Sequence, residues 1–224
     1  MAYSNFTLAK AREAFGLTLN ENRSLFEDVA GVQPSDLLKR ILDENRSLAT
    51  AINSEKARSE FLIAPILSEV RRQLDYEISL FSGTEFNVDP AIELWGFCDF
   101  ILSASREQYF ISDPVVTVVE AKNENIIGGL GQCTATMVAA QVFNQRAGKD
   151  INTIYGAVTS GTAWRFLTLS GTTVCIDTIE YYIKETDKIL GILLQPFGFA
   201  VPYGGKPSFR AVSPFQPTLA TINT

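Results

Sequence analysis

The chain has 224 residues and a formal charge of −6, from 19 Lys and Arg against 25 Asp and Glu. It contains no histidine, which excludes Ser-His-Asp and Cys-His catalysis and every histidine-ligated metal. An acidic total is poorly suited to gripping phosphate backbones along their length, because that depends on Lys and Arg.

The length suits one domain with an added helical segment. Cys98, Cys133 and Cys175 are odd in number, sit among apolar residues and lack zinc spacing. They read as reduced core thiols of a cytoplasmic protein. The start, MAYSNFTLAK, shows no basic region followed by an apolar one, so no secretory signal is expected. No apolar run reaches about 18 residues, so no membrane span is expected.

In chain order, FTLAKAREAFGL predicts a short helix ending near Gly16, and SLFEDVAGV a second short element. From Ser35, apolar residues at Leu37, Leu38, Ile41, Leu42, Leu48 and Ile52 fall at helical spacing, with Ser35 as N-cap. Residues 1–54 are therefore read as an N-terminal helical extension, which could brace the core or form a homodimer contact. The next stripe, Phe61, Leu62, Ile66, Leu67, Val70 and Leu74, predicts a helix that Pro65 kinks or restarts. Lys56, Arg58, Arg71 and Arg72 on this segment are either a basic patch or a solvated face. YEISLFSGTEFNVD predicts two strands around a turn at Ser82-Gly83.

Two apolar runs follow. GFCDFIL places Asp99 inside one, and VVTVVEAK places Glu120 inside the other, with Lys122 two residues later. Both runs read as strands, so Glu120 and Lys122 share a face, and antiparallel pairing sets Asp99 opposite Glu120. Buried charges need a counter-charge or a metal. Two carboxylates without histidine suit a hard cation such as Mg²⁺ or Mn²⁺. NENIIGGLGQC then reads as a glycine-rich loop, with Gly128, Gly129 and Gly131 able to approach a phosphate. Gln132 opens the helix QCTATMVAAQVFNQRAG, which Gly148 ends. Two or three strands with turns at Ser160-Gly161 and Ser170-Gly171 come next. EYYIKETDKILGILLQPF predicts a last helix, and residues 201–224 a tail with little regular structure.

The order G-x-x-D (Gly96 to Asp99), E-x-K (Glu120 to Lys122) and Gln132 at a helix start resembles the PD-(D/E)XK nuclease superfamily, and the strands after that helix, with a small residue pair before Trp164, resemble type I restriction nuclease domains. Cys98 stands where the family name has Pro. The resemblance covers roughly residues 55–170 and implies an α/β (α+β) fold, a central mixed sheet flanked by helices, for a core read as residues 55–200. It implies Mg²⁺ or Mn²⁺ held by Asp99 and Glu120, Lys122 assisting the attacking water, and Gln132 completing the site. It also implies a Glu on the first core helix, for which Glu60 is the candidate and Glu69 the second choice. The implied substrate is DNA. Trp164 and Arg165 are further candidates for nucleic-acid contact. The alternative is a nuclease fold without activity, used as a binding or assembly module.

Overall fold

The structure, a computed structural model, describes residues 3–198. Seven strands form one mixed sheet in the order β1-β7-β6-β5-β4-β3-β2. β2 (Ser79–Glu85), β3 (Phe97–Ser103) and β4 (Val115–Ala121) pair antiparallel with one another in that order. So do β5 (Ile154–Thr159), β6 (Ala163–Ser170) and β7 (Thr173–Tyr182). Glycines at positive φ, Gly161 and Gly171, close the last two hairpins where the sequence predicts turns. β4 and β5 are parallel, and the connection this requires is α5 (Ile126–Arg146). All seven residues of β4 are buried, as a strand covered on both faces demands.

Helices cover the sheet on both sides. On one side α1 (Leu8–Ala14) and α5 pack over Ile101, Val118, Val158 and Leu167. On the other, α2 (Asp36–Ile52), α4 (Ala64–Gln73) and α6 (Thr186–Leu194) cover Phe100, Leu102, Val119 and Phe166. By length and hydropathy alone α5 could cross a membrane, but 67% of its most apolar window is buried inside the protein. It is the core helix of this fold.

Residues 3–54 brace the core, one of the two roles open to the N-terminal extension. Tyr3 is fully buried and its hydroxyl donates to Phe86 O at 2.7 Å. β1 (Thr18–Asn20) joins the sheet beside β7, and α2 buries Leu38, Leu42 and Ala49 against Leu62 and Ile66. The extension folds in because its own apolar stripe completes a core layer. Other expectations are corrected. Ser82-Gly83 does not turn the chain: β2 runs through both residues, with Gly83 at φ 61°. Residues 180–182 extend β7 instead of starting the last helix. The expected tail, 201–224, lies outside the described residues.

Pro65 acts as its chemistry dictates. It has no N–H to continue an α-helix, and the turn before it widens. α3 (Glu55–Arg58) passes through a π-helical turn, Ser59–Ile63, into α4, with the Ala64 N–H donating to Ser59 O.

Glu69 is buried on α4 and serves the start of α2. It accepts the Ser35 N–H and the Ser35 hydroxyl, both at 2.9 Å, and pairs with Arg72. Glu69→Ala strands the half-buried Arg72 and removes the partner of the α2 cap. The expected loss is about 3 kcal/mol by urea denaturation, since breaking one side of a buried pair leaves an uncompensated charge. A loss under about 1 kcal/mol would contradict this account of Glu69.

Candidate functional site

β3 and β4 pair with Phe100 opposite Val119, which brings Asp99 and Glu120 to the next rung. There the backbone ladder ends and a side chain replaces it: Asp99 Oδ2 accepts the Ala121 N–H at 2.7 Å. Glu120 is 3% exposed and accepts from Lys122 Nζ at 2.5 Å. Lys122 Nζ also donates to Gln132 Oε1 at 3.4 Å, while its backbone N–H continues the ladder to Thr159 O at 2.8 Å. The lysine stem fits beneath α5 because residue 129 is glycine. A Cβ there would stand 2.6 Å from Val158 Cγ1 and 3.0 Å from Lys122 Cγ.

A third acid, the exposed Glu55, stands at the start of α3 near this group. Ser54 caps that helix, its Oγ accepting the Ala57 N–H at 3.1 Å, and so places Glu55 at the first helical position. The Glu55 carboxyl is pushed up by burial and by Asp99, and drawn back down by Lys122, so it lies within electrostatic reach of both. The start of α3 is pinned on two sides. Arg58, buried, donates to Asn53 Oδ1, to Ser160 O at 2.9 Å and to Thr162 Oγ1. Asn53 takes a left-handed conformation and donates to Glu124 Oε1 at 2.9 Å, tying the helix to the loop after β4.

The electrostatics are those of acids crowded under a helix. Burial pushes the Glu120 pKa well up and Asp99 adds to this, with Lys122 only partly offsetting them. Burial opposes the Lys122 charge, but Glu120, Glu55 and Asp99 together hold its pKa above the usual lysine value. Burial, with Glu120 next, also raises the thiol pKa of Cys98 and Cys133, which keeps both neutral. Lys122 thus pairs directly with Glu120, while Asp99 and Glu55 act on it only through their charge.

The structure brings Asp99, Glu120, Lys122 and Gln132 together as expected, and corrects the remaining candidates. Glu60 is turned out, its side chain 55% exposed and paired with Lys56 at 3.3 Å, because it lies on the outer side of the π turn. Glu69 is occupied by Ser35 and Arg72. Residues 128–131 are helix, not loop: α5 starts at Ile126, capped by Asn125 Oδ1 on the Gly128 N–H at 2.9 Å. Gln132 therefore stands in the second turn. Trp164 is fully buried, and Arg165 binds Glu180 and Asp177 O. Arg58, Arg71 and Arg72 each bind a partner within the fold, and Lys56 lies on the solvated face beside Glu60. Glu55, near the cluster in charge though not among the sequence candidates, is marked in the sequence by Ser54 as its N-cap.

No protein-family model, curated protein or solved structure matches this chain. Among the described residues, no three His, Cys, Asp or Glu side chains converge into a ready-made ligand set.

Proposed function

We propose that the chain is a PD-(D/E)XK-type nuclease that hydrolyses DNA phosphodiester bonds with Mg²⁺ or Mn²⁺. The observation that supports this reading is the meeting of Asp99, Glu120 and Lys122 at the ends of adjacent strands. The donor set fits such a cation: it offers oxygen only, and Mg²⁺ is commonly held by one or two carboxylates with waters completing its shell. The excess of carboxylate over ammonium is the charge a cation would balance. When bound, the cation supplies Lewis-acid polarisation of the phosphate and lowers the pKa of water.

The chain's own groups do the rest. Asp99 and Glu120 hold the cation, Asp99 being fixed by the Ala121 N–H. Lys122 sets its ammonium where negative charge grows on the phosphate oxygens. Gln132 orients Lys122 from α5. Glu55, in the role expected of Glu60, adds negative charge from the start of α3.

The test is a calorimetric titration of Mn²⁺ into wild type, Glu120→Gln, Glu55→Ala and Glu60→Ala, followed by addition of supercoiled and single-stranded DNA. Wild type and Glu60→Ala are expected to bind Mn²⁺ and cleave DNA alike. Glu120→Gln should lose both, and Glu55→Ala should fall about 10–100-fold in cleavage. A folded wild type that binds no Mn²⁺ would make the acids structural, and the binding-module reading would replace this one.

A further inference from the structure

The buried stripe of α2 leaves a second apolar stripe uncovered. Leu37 is 51% exposed, Leu48 45% and Ile52 51%, with Ile41 half-buried between them. At 3.6 residues per turn the four lie within about 60° of arc on one side of the helix. Singly exposed apolar residues are ordinary, but an aligned set along a whole helix is not. The intervals along the stripe are four, seven and four residues, the same read from either end. Its midpoint falls between Glu44 and Asn45.

We propose that α2 is the interface of a homodimer, packed antiparallel on the α2 of a second copy about a two-fold axis. A two-fold interface must be complementary to itself, each residue meeting a partner that meets it in return. A stripe with symmetric intervals satisfies this directly. Leu37 of one copy lies against Ile52 of the other, and Ile41 against Leu48, so four apolar pairs form from one repeated patch. At the centre, Glu44 of each copy meets Asn45 of the other, and the amide donates to the carboxylate. An unrelated partner would have no reason to select symmetric spacing, which is why the occupant is a second copy. The patch is small beside the roughly 1,000 Å² that a specific interface buries, so the dimer is expected in the micromolar range. The stripe ends at Ile52, beside Asn53 and three residues from Glu55, so each end of the paired helices borders one site.

Sedimentation velocity on the full chain from about 1 to 200 μM tests this. A concentration-dependent dimer is expected, weakened at least about a hundredfold by Leu37→Glu or Leu48→Glu. Both side chains are half-exposed, so these variants should melt like wild type. Orientation is read by oxidation of cysteine variants, the native Cys98, Cys133 and Cys175 being buried. Leu37→Cys combined with Ile52→Cys should cross-link two copies, because only that pairing brings the thiols together, and neither single variant should. A monomer throughout the range would overturn the proposal. So would a dimer indifferent to both Glu substitutions, or efficient cross-linking by Leu37→Cys alone.

Discussion

Glu120→Gln is expected, on the proposed nuclease reading, to reduce DNA cleavage by about a thousandfold, and yet to raise the melting temperature of the metal-free protein at pH 8. The two effects have one origin. Glu120 is held in the interior beside Asp99, and burial pushes its pKa well above the ordinary carboxylate value. An acid with a raised native pKa binds more protons folded than unfolded. Stability therefore falls as pH climbs from the unfolded value near 4.3, and the loss is complete above the native value. Glutamine carries no charge and lacks this slope.

The difference in melting temperature between Glu120→Gln and wild type should grow from pH 5 to pH 8, by roughly 2–4 °C for each kcal/mol relieved. Lys122 loses its nearest partner in the variant but keeps Asp99 and Glu55 within reach. Saturating Mn²⁺ should reverse the order by stabilising wild type alone, by about 2.7 kcal/mol at a hundredfold excess over Kd. Scanning calorimetry across this pH range decides the matter. A constant gap between the proteins, or a variant less stable than wild type at pH 8, would contradict the account of Glu120.

Gly131→Ala should damage the fold more than any other single methyl added to α5. The new Cβ would stand 2.3 Å from Thr7 C, 2.4 Å from Phe6 O and 2.5 Å from Leu8 N. These are backbone atoms at the start of α1, and no rotamer change relieves the contact. Either the N-terminal segment lifts from α5, uncovering Phe6 and Ala11, or α5 shifts on the sheet. Overpacking of this kind costs about 3 kcal/mol, or roughly 6–12 °C in melting temperature. Gly128→Ala is the control. Its Cβ would meet only the Asn125 side chain, which can turn away, so the loss is limited to a helix cap at about 1 kcal/mol. Equal melting of the two variants would sink the argument.

How much of this was legible before folding follows from what local patterns encode. Glu120 and Lys122 were readable because a strand has a period of two and the valines before them mark a buried one. Asp99 was readable because the register of an antiparallel pair brings it level with Glu120. Glu55 and Glu60 were not separable by such means, since helical periodicity ranks faces and the π turn shifts the face after Arg58. Ser54 fixes the answer by capping, a one-residue signal easily lost beside a long apolar stripe. The glycines at 128–131 misled for a related reason. Glycine permits a loop, but it also permits two backbones to touch, and only the tertiary structure shows Thr7 lying against Gly131. Trp164 belonged to the core, where its ring stacks on Phe166.

One feature of the topology bears on biosynthesis. β1 lies parallel to β7, with Thr18 beside Thr173, and Tyr3 reaches Phe86. β1 is therefore made well before β7, its sheet neighbour among the described residues. Until β7 has been synthesised, Thr18–Asn20 have no strand to join, and the α5 surface that α1 covers stays open until that helix has formed. An early-made segment is thus among the last to be seated, and its arrival completes one edge of the sheet.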